Sequence, residues 1–463
     1  MSFIIGANSA VAGGFSIDNS CRLDNPRDGA SSPDYLTRTP SGATNQKTFT
    51  ISFWIKRWGL QTGSSQQQVI GQQASNYFRC MFCHTAGDII RMYGPSLDLQ
   101  TTAVYRDPSA WYHVVLAMDT TQAVAGNRAK LYVNGTQVTS FSTETIPGQN
   151  VDQDWNVAAA IIIGRSGSSG NDGSPSYLAQ FVNIDGTAYA ASDFGEFDED
   201  SGIWKPIDVS GLTFGTNGFF LDFADAADLG DDESGNTNDF AETGIAATNQ
   251  ATDTPTNNFA TLNPLNYTST AIPYSEGNTY GTFPGAWMAS LPTIGLTNGK
   301  WFWEAKLNSG NDANMFYGVA REGIDLDTSP QNQTGVIVQK NDGDRYVDGS
   351  YSAGAAESIA SGNTLGVALD LDSGTKTIKF YKNGTLLSSG SSINLTSNFD
   401  GYTLFPIFIG NSSSATAEWQ TNFGNPAYAI SSGNADGNGY GNFEYAVPSG
   451  YFALCTKNLA EHG

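Results

Sequence analysis

The residues that could do chemistry lie in a few short runs. Cys80-Met-Phe-Cys83-His84 has the spacing of a c-type haem attachment site, in which two thiols bond the porphyrin and the histidine ligates iron. With Cys21, the same three side chains would make up the four ligands of a structural zinc site. Glu196-Phe-Asp198-Glu-Asp200 alternates acids, as on a strand that presents a nucleophile and a general acid together to a glycosidic bond. In Asp228-Leu-Gly-Asp231-Asp-Glu233-Ser-Gly-Asn236, oxygen ligands gather round turn glycines, the ingredients of a Ca²⁺ loop with Asp228, Asp231 and Glu233 as candidate ligands. Trp58, Trp155 and Trp287 flank loops, and Arg345, Tyr346 and Tyr351 lie in a Gly/Ser/Asp-rich connection. Such aromatic rings can stack on sugars or anchor a partner, which makes Trp155, Arg345, Tyr346 and Tyr351 the candidate binding residues.

Each run also has a plainer reading. Tyr77–His84 reads as a strand carrying cysteines as small apolar residues. The acidic run lies between Phe194-Gly195 and Ser201-Gly202 and reads as a solvated loop. The Asp228–Asn236 segment departs from EF-hand spacing, so a hydrated turn competes with calcium, the one cofactor left open. His84, His113 and His462 have no Ser/Asp partner motif. Asn134-Gly-Thr and similar triplets are turn residues first. These readings point to a protein that is not an enzyme.

The elements that must position these residues are strands. The chain has 463 residues, long enough for two or three domains, and 52 are glycine. Abundant Gly, Ser, Thr and Asn with scarce Lys, Arg and Glu suits many short strands joined by turns. The charge of −23, from 45 acids against 22 bases, repels phosphate backbones and excludes nucleic acid as a partner. No apolar run reaches transmembrane length, so no membrane insertion is expected. Met1-Ser-Phe-Ile-Ile-Gly lacks the basic start of a signal peptide, so synthesis and initial residence in a cytoplasm are expected.

Two similar stretches organise the chain: Lys130-Leu-Tyr-Val-Asn-Gly-Thr and Lys379-Phe-Tyr-Lys-Asn-Gly-Thr. Each follows an apolar run ending in aspartate, Val114–Asp119 and Leu365–Asp370. Asn-Gly between β-formers is a strong hairpin signal, because a type I′ turn needs positive φ at both central residues. Phe49, Ile51, Phe53 and Ile55 alternate with Thr50, Ser52 and Trp54, the pattern of a strand with one buried face. Trp301, Trp303, Ala305 and Leu307 repeat that pattern. The expected fold is all-β. A loop-rich segment at 1–47 packs on a sandwich at 48–223, and a second sandwich spans 263–463. Residues 224–262, acidic and rich in Asn and Thr, form a linker or lie along their neighbours.

Several motifs resemble known families. Gly299-Lys-Trp-Phe-Trp-Glu, Tyr317-Gly-Val-Ala, Leu365–Asp372 with Ile378–Gly384, Leu404-Phe-Pro and Asn422-Phe-Gly resemble the landmarks of a SPRY domain in order. Phe49–Lys56, Trp111-Tyr-His-Val-Val, Leu131-Tyr-Val-Asn-Gly and Ile163-Gly-Arg are similar to laminin-G/concanavalin A-like domains. Both resemblances imply a concanavalin A-like jelly-roll sandwich. Gly202-Ile-Trp-Lys-Pro, Phe214–Phe223, Asp253–Pro264 and Pro448–Leu459 resemble structural proteins of tailed bacteriophages, where such lectin-like modules occur in tail fibres, head fibres and capsid decoration. That resemblance implies a virion component made in the host bacterial cytoplasm. Its partners would be other virion proteins, a homo-oligomer such as a trimer, and a host-surface glycan. The alternatives are a virion polysaccharide depolymerase using the acids near Glu196, or a free carbohydrate-binding protein.

Overall fold

The computed structural model describes residues 4–5, 14–25, 34–60, 66–74, 77–83, 87–166, 172–266, 271–284, 287–309, 314–387, 392–411 and 417–463. The chain divides into an N-terminal unit, Val11–Thr256, and a C-terminal unit, Asn257–Gly463 with Met1–Ala10. Both are all-β jelly-roll sandwiches, as the alternation and turn spacing lead one to expect.

In the N-terminal unit the alternating strand Thr48–Arg57 is central, flanked antiparallel by Trp111–Asp119 and Ser176–Asp185. Phe49, Ile51, Phe53 and Ile55 face a second sheet, in which Phe78–Cys83 lies between Gln66–Gln72 and Ile89–Gly94. Between the sheets these side chains meet Ile70, Phe78, Ile163 and Phe181 in one apolar core.

The opposite face of Thr48–Arg57 differs from expectation. Thr50, Ser52, Trp54 and Lys56 are buried as well, at most 3% exposed. Chain from both before and after the strand covers them. Ala191, Phe194, Val209 and Phe214 pack on Val115, Val182 and Ile184, Ile17 packs on Trp54, and Ala251 packs by Trp58 and Tyr177. The stretch around the acidic run, from Ala191 to Phe214, therefore contributes to a third layer.

The expected linker is likewise part of the folded units. Ala241–Thr243 pairs with Tyr35–Arg38, and Gln250–Ala251 pairs with Ser20–Leu23. Asp253 then sets its carboxylate 2.6 Å from Lys56 Nζ, with neither side chain exposed. Trp111 Nε1 donates to the other carboxylate oxygen at 2.9 Å, and Ser20 Oγ donates to the Asp253 carbonyl at 2.6 Å. Lys56, Trp111 and Tyr177 are in register on three adjacent strands, so the carboxylate caps one continuous outer face. Residues 257–262 belong to the other unit, where Phe259 bridges Cys455 and Leu262 bridges Pro292. Composition hid all this because backbone pairing and one buried carboxylate hold the segment, and neither needs large apolar side chains. The loop-rich start also divides: Ser20–Leu23 and Tyr35–Arg38 join the N-terminal unit, whereas Ile4–Ile5 pairs in parallel with Ile294–Gly295 of the C-terminal unit.

In the C-terminal unit Lys300–Ser309 pairs with Thr364–Asp370 and Ala417–Asn422. Its Trp301, Trp303, Ala305 and Leu307 enter the core beside Tyr317, Phe408 and Trp419. The second sheet runs, in order, Met288–Ser290, Leu404–Asn411, Asn314–Arg321, Val336–Lys340, Arg345–Val347 and Ser350–Ser352. Glu304, on the face opposite the tryptophans, is fully buried and accepts the backbone N–H groups of Glu444 and Tyr445 at 2.9 and 2.8 Å. Burial raises its pKa to about 7. The unit closes with the short strand Phe452–Ala453 and the helix Thr456–His462.

The two Asn-Gly stretches are hairpin turns of one kind. Asn134 and Gly135 have φ of 47° and 75°, and Asn383 and Gly384 have 48° and 75°. Asn134 Oδ1 accepts the His113 N–H at 2.7 Å, and Asn383 Oδ1 accepts the Thr364 N–H at 2.9 Å. The two units thus use the same turn at the same place in their sandwiches.

Asp253→Ala would leave the Lys56 ammonium buried without its counter-charge. The expected cost is about 3–5 kcal/mol, measured as a fall in the urea midpoint of unfolding. Pairing it with Lys56→Met is expected to recover a good part of that loss. A single mutant with an unchanged midpoint would show that the pair does not hold the segment.

Candidate functional site

The candidate residues Arg345, Tyr346 and Tyr351 fall on one hairpin at the edge of the six-stranded sheet. Arg345–Val347 and Ser350–Ser352 pair around Asp348-Gly349, whose φ values of 50° and 77° match a type I′ turn. Asp348 Oδ1 accepts the Gly335 N–H at 2.7 Å and ties the turn to the body of the sheet.

Strand alternation separates the three side chains. Tyr346 and Tyr351 are cross-strand partners on the outer face, with ring centroids 5.2 Å apart. Phe316 lies 5.6 Å from Tyr346, and Trp287 lies 5.8 Å from Phe316, so the rings form a row across the sheet. Phe316 is the buried floor, while Tyr351 is 55% exposed. Arg345 turns to the other face, where its Nε donates to Gln339 Oε1 at 3.0 Å and its guanidinium sits 5.9 Å from the Phe380 ring. Tyr351 Oη donates to Asp344 Oδ2 at 2.8 Å, and Asp344 Oδ1 accepts the Gly354 N–H. The outcome is an exposed aromatic surface with a carboxylate acceptor at its rim, held rigid by a tight turn. Arg345 lies on the opposite face of the hairpin from the two tyrosines.

Trp155 is not part of any surface. It is fully buried between Phe49 and Phe78, and its indole N–H donates to Asn183 Oδ1 at 2.9 Å. A loop-flanking tryptophan can point either way, and this one fills the core.

The candidate metal ligands do not fit an ion. Among the described residues no group of three or more His, Cys, Asp or Glu side chains could hold a metal. Asp228 accepts the Gly230 N–H, and the neighbouring charge acting most on Glu233 is Asp222 rather than Asp228. The turn is organised instead by Asp232, which accepts backbone N–H groups from Phe220, Ser234 and Asn238. Oxygens that a calcium loop would direct at an ion are here directed at the backbone.

The cysteines do not act together either. Cys80 faces the sandwich core, whereas Cys83, three residues on, faces the opposite side of the strand with Met81 and Ile89. Cys21 is a separate core residue, and burial raises the pKa of all three thiols. His84 lies outside the described residues. A pair of thiols on opposite faces cannot share a porphyrin or a zinc ion.

Among the acids, Asp198 closes a turn by accepting the Ser201 N–H and hydroxyl, and it lies 3.3 Å from Lys205. The Ser201 N–H is the first cause of its low pKa, about 2, the reverse of what a general acid needs. Glu196 shares the same lysine at 3.3 Å.

One pairing was not visible in sequence. Ser52 Oγ lies 2.9 Å from His113 Nε2 on adjacent strands. Trp204 Nε1 donates to His113 Nδ1 at 3.0 Å, so Nδ1 is the acceptor nitrogen and Nε2 carries the proton. That tautomer donates to Ser52 and cannot take its proton. The ring is buried and stacked on Trp54, 4.6 Å between centroids, so the pair belongs to the third layer's packing.

Comparison with known proteins agrees with this architecture. Residues 30–182 match the concanavalin A-like lectin/glucanases superfamily, as a laminin-G domain, and residues 300–426 match the SPRY domain. The N-terminal unit is thus similar to laminin-G-type lectin domains and the C-terminal unit to SPRY domains, classes of β-sandwich consistent with binding. No curated protein matches the chain. Similar solved structures include the SPRY domain of human HERC1, 19% identical, covering 31% of this chain and 87% of that one, with a TM-score of 0.26. Domains LG4-5 of the mouse laminin alpha1 chain are 10% identical, covering 90% and 89%, with a TM-score of 0.30. The heptameric SAP-like pentraxin of Limulus polyphemus is 13% identical, covering 38% and 80%, with a TM-score of 0.28.

Burial lowers the pKa of His113 from 6.5 to about 3. Between those values the unfolded chain binds a proton that the folded chain does not, so stability falls as pH drops through that window. The urea midpoint of His113→Gln is expected to depend less steeply on pH between pH 6.5 and 4 than that of the parent protein. Equal slopes would mean that His113 is already protonated in the fold.

Proposed function

We propose that this chain is a non-enzymatic structural protein of a tailed-bacteriophage virion, a fibre or capsid decoration, that displays two lectin-like sandwiches. The observation that carries the binding role is the Tyr346–Tyr351 surface. Its rings offer flat apolar faces to the C–H side of a pyranose, and Asp344 offers an acceptor to its hydroxyls. A host-surface glycan is therefore the ligand assigned to it. The virion role is supported by the motif runs at Gly202–Pro206, Phe214–Phe223, Asp253–Pro264 and Pro448–Leu459 that resemble phage structural proteins. In that setting its partners are other virion proteins and further copies of itself, in a homo-oligomer such as a trimer. Asp198, tied to its own turn, argues against depolymerase activity at the acidic run.

Mass spectrometry of purified virions is expected to find this chain among their components, and its absence would refute the virion role. On a glycan array the full chain is expected to bind host-surface polysaccharide. Tyr351→Ala, at an exposed edge, is expected to weaken that binding on the order of tenfold or more without changing the fold. Binding unaffected by the mutation would remove this surface as the site.

A further inference from the structure

The Lys-x-Tyr-x-Asn-Gly stretches that the two units share stand on the same piece of sheet. Lys130 is in register with Ala117, and Lys379 with Ala368. Those alanines pair in turn with Thr50 and Phe302 on the two central strands, and the aspartates two residues on, Asp119 and Asp370, with Thr48 and Lys300. Strand alternation puts each lysine, its alanine and the following Tyr132 or Tyr381 on the outer face.

What covers that face differs between the units. In the C-terminal unit Tyr451 and Ala453 join Phe302, Ala368 and Tyr381 in one apolar cluster, with Ala368 fully buried and Tyr451 7% exposed. Burial, then the nearby Asp370 and Tyr381, raise the Tyr451 pKa to about 12, which sets its hydroxyl beside the counterparts of Asp119 and Tyr132. In the N-terminal unit Ala117 instead lines a cavity of about 270 Å³, together with Lys130, Tyr132, Asn127, Asp119 and Tyr189. The place that one unit fills with a ring of its own chain is open in the other. We propose that this cavity binds a six-membered ring carrying one carboxylate.

The chemistry follows from the wall. Among the described residues the Lys130 ammonium makes no ion pair or hydrogen bond, and neither the Tyr132 and Tyr189 hydroxyls nor the Asn127 amide is hydrogen-bonded. The one acid is already engaged: Asp119 Oδ1 accepts the Thr121 N–H and hydroxyl at 3.0 and 2.6 Å, and Oδ2 the Gln122 amide at 2.6 Å. An ammonium offers three N–H groups and no acceptor, so the ligand atom that suits Lys130 is an anionic oxygen. The tyrosines and the amide add faces for a ring and partners for its hydroxyls. The net charge of −23 repels a polyanion, which limits the ligand to a single negative group. A small inorganic anion would leave the tyrosines and most of the volume unused.

Titration calorimetry on the full chain tests the proposal with four probes: methyl β-D-glucuronide, 4-hydroxybenzoate, the neutral methyl β-D-glucoside, and acetate. At least one of the two ring acids is expected to bind saturably, one to one, and more tightly than the glucoside or acetate. Tighter binding of the glucuronide would identify the ligand as a sugar acid, and tighter binding of the benzoate as a phenolic acid. Lys130→Met is expected to lower the affinity for the ring acids about tenfold or more, and Ala117→Leu, which fills the cavity, to abolish it, both with unchanged circular dichroism. Equal binding of the glucoside or of acetate, binding unchanged in Lys130→Met, or no binding of either ring acid would overturn the proposal. The Tyr351→Ala variant is expected to bind the ring acids normally, which separates this site from the Tyr346–Tyr351 surface.

Discussion

A lysine with no solvent exposure is tolerable only against a carboxylate of good geometry, and in this protein that carboxylate arrives 197 residues later in the chain. The Lys56–Asp253 contact therefore constrains the whole N-terminal unit. Lys56 stands on the central strand, on the face away from the core, so its partner must come from outside the two sheets. The segment carrying Asp253 is drawn across that face, Trp111 and Ser20 are fixed by the same residue, and Gln250–Ala251 extends the sheet beside Ser20–Leu23. What reads as spare chain between two domains is the last piece of the first.

The C-terminal unit meets a similar demand with the opposite charge. Glu304 also stands on a central strand, on the face away from the core, and captures a late stretch of chain through the Glu444 and Tyr445 N–H groups. In each unit one buried ionisable side chain recruits a distant segment as cover. The sandwich supplies the apolar core, and a single polar contact decides where the rest of the chain must lie.

This explains what was legible in the sequence. The strands announced themselves by alternation, as at Phe49–Ile55 and Trp301–Leu307, and the turns by Asn-Gly, because both depend on neighbours within a few residues. The aromatic site was half legible: Tyr346 and Tyr351 stood out in a polar connection, but only register shows that they share a face while Arg345 points away. Trp155 misled because a loop neighbour says nothing of side-chain direction. Ser52 and His113 meet across strands 61 residues apart, and the walls of the cavity beside Lys130 come from segments as distant as Ala117 and Ala190. Such juxtapositions have no local signature. Asp228, Asp231 and Glu233 looked like ligands because the oxygens that satisfy a backbone turn are of the same kind as those that hold calcium.

The two Asn-Gly turns carry a consequence for the ageing of the molecule. In a flexible chain this dipeptide is prone to deamidation, which begins when the glycine nitrogen attacks the asparagine side-chain carbonyl. Here that carbonyl is engaged at both sites, Asn134 with the His113 N–H and Asn383 with the Thr364 N–H. A side chain built onto either glycine would run into an aromatic ring, Trp204 at Gly135 and Tyr445 at Gly384, so each glycine backbone is crowded as well. Cyclisation must first break a hydrogen bond that closes the hairpin onto its neighbouring strand. The sequence most vulnerable to chemical decay is thereby protected for as long as the sandwich stays folded.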